Sequence, residues 1–221
     1  MPVLYVINPN SLHEVTARIA QALASCVPSA GGPVLRCVTL EAGPPGIVSQ
    51  RDADRAAPLV ADFVAAQGDA AGFVIACYSD PGLHAAREAS RLPVLGIGQA
   101  ALATAVALGE RVGVIAVSSA GIARHWRAYR AQGLAPRIAG ERAIDLSVAE
   151  SGDRAVALRR LIETGRALRD QDGADVIVLG CAGMASLVDE VQAALGVPVI
   201  EPCRAAVTLA LARIDAACAS R

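Results

Sequence analysis

The 221-residue sequence predicts an α/β protein of two pseudo-symmetric halves. Each half is expected to be a four-stranded, mainly parallel sheet flanked by helices, with an active site in the cleft between them. Three observations carry this expectation. Short β-branched runs alternate with alanine-rich amphipathic stretches, the signature of βαβ crossovers. The runs are continuously apolar rather than alternating, as suits strands buried on both faces. And the stretch GDAAGFVIACYSDPGLHAAREASRLPVLGI (68–97) parallels GADVIVLGCAGMASLVDEVQAALGVPVIEP (173–202).

The elements follow in order. VLYVIN (3–8) reads as the first strand and EVTARIAQALA (14–24) as the helix after it. Strands are then expected at 34–40, 72–77 and 94–98, completing the first half. The second half repeats the count at 112–117, 142–146, 176–181 and 197–201, with DRAVALRRLIETGRALRD (153–170) as its long helix. Each copy of the repeat has an apolar strand ending in cysteine, a glycine-containing turn, a helix, then Pro-Val and a short strand. Cys77 and Pro93 stand 16 residues apart, Cys181 and Pro198 17. The first half is placed at 1–98, with the C-terminal helix 207–221 packing back on it, and the second at 99–206.

Bulk composition excludes several classes. With 54% hydrophobic and 19% charged residues, the chain is not disordered. A net charge of −1 gives no electrostatic footprint for nucleic acid. Aromatic residues make up 3%, too few for a base-stacking platform. A spanning helix needs about 20 apolar residues, and charges, prolines or glycines cut every apolar run well short of that. The opening MPVLYVINPN has no basic segment of a signal peptide. A cytoplasmic protein with no membrane or nucleic-acid partner is expected, acting on a small molecule and assembling as a homo-oligomer.

Cysteine usage agrees. Cys26, Cys37, Cys77, Cys181, Cys203 and Cys218 are expected to be reduced thiols rather than three disulfides. No CxxC occurs, and His13, His84 and His125 are not spaced as metal ligands with cysteines. No phosphate-cradling glycine loop is visible either. Neither a metal nor an organic cofactor is expected.

Ligands of open parallel sheets bind beyond the carboxyl ends of the strands. Four such ends carry small or polar turns: Asn8-Pro9-Asn10-Ser11, Cys77-Tyr78-Ser79-Asp80, Ser118-Ser119 and Cys181-Ala182-Gly183. If the halves face each other about a pseudo-twofold axis, Cys77 and Cys181 approach a shared site from opposite sides. One thiolate then removes a proton from one face of a carbon while the other thiol delivers one to the opposite face. Racemisation needs that symmetry, because each hand of substrate must find a base on its own side. A thiol of ordinary pKa, about 8.5, needs only modest help to ionise near neutrality. Loop N–H groups can supply that help and also hold the enolate-like charge on a substrate oxygen.

Plainer readings stand beside these. A strand-end cysteine is often a small buried hydrophobe, and that is the reading for Cys26, Cys37 and Cys218; Cys203 is more a packing residue than a site residue. The Asn-Pro-Asn turn and Ser118-Ser119 also suit helix capping. His84 points away from the turn, His13 and His125 read as surface or helix-start residues, and Trp126 and Tyr129 as a packing pair.

The paired strand–cysteine motifs, the opening INPNS and the segment LGCAGM resemble the aspartate/glutamate racemase superfamily. ACYSDPGL and DGADVIVLGCAGMA are most similar to its hydantoin and allantoin racemase branch. The resemblance covers essentially the whole chain. It implies a cofactor-independent, two-cysteine racemase or epimerase, an isomerase, with Cys77 and Cys181 as acid/base thiols. It also implies that Asn10, Ser79 and the backbone around Gly183 contact substrate. Hydantoin racemases usually carry Thr-Thr at the end of the fifth strand, where this chain has Ala116-Val117 before Ser118-Ser119. They also tend to have Asp-Gly after the last strand, where Glu201-Pro202 stands here. Glutamate racemases follow the second cysteine with Thr-His, and arylmalonate decarboxylases lack the first cysteine. The readings in competition are an Asp/Glu-type amino-acid racemase, a maleate-type cis–trans isomerase, and a non-catalytic small-molecule binding protein.

Overall fold

The computed structural model describes residues 1–26, 30–146 and 153–219. It divides into two compact units, Met1–Ala100 with Cys203–Arg221, and Ala101–Pro202.

The first unit runs β1 (Val3–Asn8), α1 (His13–Leu23), β2 (Val34–Thr39), α2 (Gln50–Ala66), β3 (Ala70–Ile75), α3 (Leu83–Ala89) and β4 (Val94–Gly96), after which α4 (Ile97–Leu108) begins. Its strands are all parallel, in the order β2-β1-β3-β4. All six residues of β1 are buried, which is why it reads as an apolar run as far as Asn8. On one face Tyr5, Ile7, Phe73 and Ile75 meet Val60 and Val64 of α2. Tyr5 stacks on Phe73 at 6.0 Å and meets Phe63 edge-on at 5.4 Å. A reciprocal cap starts α2, Ser49 Oγ accepting from the Asp52 N–H at 3.2 Å and the Asp52 carboxylate from the Ser49 N–H at 2.9 Å.

The second unit repeats the plan with β5 (Val112–Ala116), α5 (Ile122–Ala131), β6 (Ile138–Ala143), α6 (Arg154–Asp170), β7 (Val176–Leu179), α7 (Val188–Leu195) and β8 (Val199–Ile200). The order β6-β5-β7-β8 is again all parallel. Ile115, Ile177 and Leu179 pack with Leu161 and Leu168 of α6 and Leu195 of α7. Asp153 caps α6 by accepting from the Ala155 and Val156 N–H groups. The last helix, α8 (Pro202–Ala219), returns to the first unit, where Arg204 Nε donates to the Ala22 carbonyl at 3.2 Å.

Two differences from the sequence reading have physical causes. The sixth strand lies at 138–143, not 142–146. Ile138 to Ala143 pair along β5, although Gly140, Glu141 and Arg142 disguise them. Gly140 is needed there: a Cβ would stand 2.7 Å from Asp172 Oδ2, which Arg142 Nε holds at 2.7 Å. The strands before the two cysteines also end sooner than expected, at Ile75 and Leu179, so both thiols sit in turns.

Candidate active site

In the first unit the ends of β1 and β3 lie side by side, joined by the Ala76 N–H to the Ile7 carbonyl at 2.7 Å. Asn8, fully buried, donates its carboxamide to Asn10 Oδ1 (3.0 Å), the Leu12 carbonyl (3.1 Å) and Thr16 Oγ1 (3.0 Å). Asn10 Oδ1 also accepts the Leu12 N–H at 2.9 Å. This fixes the orientation of the Asn10 amide, so that its NH2 is the group left to act as a donor. The turn thus serves its own fold and still presents a hydrogen-bond donor.

Cys77 and Ser79 lie in the adjacent turn, both half-buried, with Tyr78 buried between them. The Asp80 N–H closes the turn on the Cys77 carbonyl at 2.9 Å, and the Leu83 N–H bonds the Asp80 carbonyl at 3.2 Å. Gly82 then starts α3 at φ +74°, where a Cβ would stand 2.5 Å from the Ala57 carbonyl oxygen. Asp80 sends its carboxylate to α4, accepting the Gly98 N–H at 2.9 Å and the Gln99 N–H at 2.8 Å. Desolvation outweighs those bonds and the Arg87 charge, pushing the Asp80 carboxyl up to about 7.

The second unit has the matching pair of strand ends, with the Gly180 N–H bonded to the Ile115 carbonyl at 2.8 Å. Cys181 is half-buried, and the Met184 N–H bonds its carbonyl at 3.3 Å. Gly183 lies in the 3₁₀ turn Ala182–Leu187 that leads into α7. Beside it, Ser118 caps a short 3₁₀ turn through its Oγ and the Ala120 N–H at 3.3 Å. Ser119 is exposed, and its N–H bonds Asp145 Oδ1 at 3.0 Å. The predicted residues therefore fall into two groups, each on adjoining strand ends of one sheet: Asn10, Cys77 and Ser79, and Ser118, Ser119, Cys181 and Gly183.

The remaining candidates sort by burial. Cys203 is fully buried, whereas Cys26 and Cys37 are half-buried, and burial of the Cys37 thiol pushes it up to about 11. The side chain of Cys218 lies outside the described residues. His84 is exposed on α3, His13 pairs with Glu41 at the surface, and Trp126 and Tyr129 meet at 5.8 Å. His125 is a correction: it stands at the start of α5 but is buried, its Nδ1 2.5 Å from Glu141 Oε1 on β6. The nearby carboxylate compensates its burial, which the sequence hid because Glu141 lies inside a strand. Among the described residues no group of three or more His, Cys, Asp or Glu is placed to hold a metal. In the sequence Asp80 stands out only as the last residue of the first thiol turn. Its link to α4 had one available signal, the Asp-Pro-Gly run three residues after the thiol.

Fold and turns together define a two-unit parallel α/β protein that carries the same thiol turn twice. Residues 4–210 match the family model described as Asp/Glu/Hydantoin racemase. A hydantoin racemase of Rhizobium meliloti is 38% identical over 237 residues, covering 96% of this chain and 89% of that protein. An allantoin racemase from Klebsiella pneumoniae superposes with a TM-score of 0.90 at 32% identity, covering 98% of this chain and 89% of that one. A glutamate racemase from Francisella tularensis shares the fold alone, with a TM-score of 0.73 at 18% identity over 98% of this chain and 81% of its own. The chain belongs to the Asp/Glu/hydantoin racemase family. It is an isomerase of the racemase type acting on a small molecule.

Proposed function

We propose that the protein is a cofactor-independent racemase of 5-substituted hydantoins or related cyclic ureides, with Cys77 and Cys181 as its paired acid and base. The observation that carries this reading is the repetition itself: each sheet sets one half-buried thiol in the turn after its third strand. In the forward direction one cysteine thiolate takes the proton from the ring C–H beside a carbonyl. The electron pair moves into that carbonyl as an enolate. The other cysteine, as a thiol, returns a proton to the opposite face, so the two sulfurs exchange protonation states in each turnover. The chemistry requires both sulfurs to reach one carbon, from opposite sides.

The turns support the substrate class. They offer the Asn10 NH2, the hydroxyls of Ser79, Ser118 and Ser119, and the backbone around Gly183, with no arginine or lysine among them. A free amino acid brings a carboxylate that a site would normally meet with a fixed cation. A neutral ring of amides asks only for neutral donors, and in this reading the Asn10 NH2 supplies one to the developing enolate oxygen. Among the described residues no helix is long and apolar enough to cross a membrane. None of Cys26, Cys37, Cys77, Cys181 and Cys203 is joined in a disulfide, which suits a reducing cytoplasm. Assembly as a homo-oligomer belongs to the same reading and is measured by light scattering.

The test is Cys77→Ser and Cys181→Ser, assayed by chiral chromatography and by deuterium wash-in from heavy water. Both variants are expected to stay folded and to lose at least 1000-fold in racemisation. Each retains proton exchange with one enantiomer only, because one base survives. Racemisation within a few-fold of wild type in either variant overturns the two-base assignment. Turnover of aspartate or glutamate with none of any hydantoin replaces the substrate class. Turnover without wash-in favours a cis–trans isomerase, and binding without turnover a binding protein.

A further inference from the structure

Asp80 is held by more interactions than a turn residue needs. Its φ of +47° lies in the left-handed region, which residues with a Cβ adopt uncommonly and aspartate more readily than most. Both carboxylate oxygens are engaged, one on the Gly98 N–H and one on the Gln99 N–H, in the first turn of α4. Room for this is kept by two glycines. A Cβ on Gly96 would stand 2.2 Å from Asp80 Cγ, and one on Gly98 would stand 2.1 Å from the Tyr78 carbonyl oxygen. The backbone N–H of Asp80 at the same time bonds the Cys77 carbonyl.

The matching turn of the second unit closes in the same way, through Met184 and the Cys181 carbonyl, but carries no carboxylate there. Met184 is instead fully buried in the apolar core. The repeated turns are therefore secured by different physics, a hydrogen-bonded carboxyl latch in one and hydrophobic burial in the other.

We propose that Asp80 is a positioning residue for the Cys77 thiol, latching its turn to the start of α4 and making the two thiol turns unequal. The charged side chain set against the latch is Arg87, whose Nε donates to the Val94 carbonyl at 3.0 Å and whose Nη2 donates to Gln99 Oε1 at 2.8 Å. Its meaning for catalysis rests on the two-thiol reading, while the latch itself is testable without it.

The experiment measures the rate of iodoacetamide alkylation at Cys77 and at Cys181, by peptide mass spectrometry, between pH 5.5 and 9. The proteins are wild type, Asp80→Asn and Gly96→Ala. The asparagine can accept only one of the two N–H bonds, and the new Cβ of Gly96→Ala displaces the carboxylate without altering the thiol turn's sequence. Both variants are expected to change the Cys77 rate at least fivefold and the Cys181 rate less than twofold. With 5-benzylhydantoin, kcat is expected to fall at least tenfold while KM moves less than threefold. A Cys77 rate unchanged within twofold in both variants overturns the proposal, as does an equal shift at both cysteines. Should neither variant fold, wild type decides. The Cys77 profile is expected to show an inflection near pH 7 that the Cys181 profile lacks, and two profiles of the same shape overturn the latch. A wild type that alkylates as described yet never racemises a hydantoin removes the functional reading and leaves the latch standing.

Discussion

The carboxamide of Asn8 donates to Thr16 Oγ1 across 3.0 Å and so ties the last residue of β1 to α1. Thr16 Oγ1 in turn lies 2.5 Å from Thr39 Oγ1 at the end of β2, so one buried amide organises three chain segments. Asn8→Ala removes the bonds donated to Asn10 Oδ1, the Leu12 carbonyl and Thr16 Oγ1, and strands the buried Asn10 N–H that Asn8 Oδ1 accepts at 3.2 Å. A loss of about 2–3 kcal/mol is expected, from buried polar groups left unmade. Urea denaturation checks it through a lower midpoint at unchanged slope.

Thiol reactivity is expected to separate Cys77 and Cys181 from Cys37. Burial raises the Cys37 thiol to about 11, so at pH 8 only about one molecule in a thousand carries its thiolate there. Limited iodoacetamide treatment at pH 8 is expected to label Cys77 and Cys181 well before Cys37, and a bound hydantoin to protect the first two. Peptide mapping that finds Cys37 labelled as fast as either would contradict the burial argument.

Asp80 also reports in the pH dependence of stability. Its carboxyl ionises at about 7 in the fold and near 3.8 when unfolded. From about pH 4 to pH 7 the folded state therefore binds the extra proton, and this group's contribution to stability falls as pH rises, by at most about 1.4 kcal/mol per pH unit. Asp52, lowered by its bonds from Ser49, and Asp172, lowered by Arg142, act in the opposite sense: their support is lost on acidification. The stability difference, wild type minus Asp80→Asn, is expected to be greatest near pH 4 and to decline towards pH 7. A flat difference curve from denaturation at several pH values would refute the raised ionisation.

Gly82 admits no side chain. Its φ of +74° and the Ala57 carbonyl 2.5 Å from an added Cβ act together. Gly82→Ala is expected to cost at least about 2 kcal/mol, conformational strain plus a clash with backbone that cannot step aside. Gly196→Ala, at φ +70° with nothing within 4 Å of its Cβ, carries the strain alone and costs about 1 kcal/mol. Comparing the two melting shifts separates strain from crowding.

Sequence showed what local pattern controls. β5 and β7 are apolar throughout, and β1 as far as Asn8, because both faces are covered, and the helices at 13–23 and 154–170 follow their amphipathic runs closely. The thiols stood out because a strand ended beside each. What stayed hidden depends on partners distant in sequence. β6 is an edge strand whose Glu141 is explained by His125, 16 residues earlier, and whose Gly140 and Arg142 are explained by Asp172. The Asp80 latch closes on backbone N–H groups 18 and 19 residues away, which no side-chain pattern announces.

That the two halves are separate stretches of one chain has a genetic side. In a homodimer of half-length chains, a single codon would write both thiol turns, and any change beside one would appear beside the other. Here codon 80 specifies aspartate and codon 184 methionine, within turns that close by the same backbone bond. Mutation can therefore adjust the surroundings of one sulfur while leaving its counterpart untouched. On the proposed two-thiol reading, a mirror-image pair of substrates need not be handled by mirror-image machinery, and selection is free to work on each hand separately.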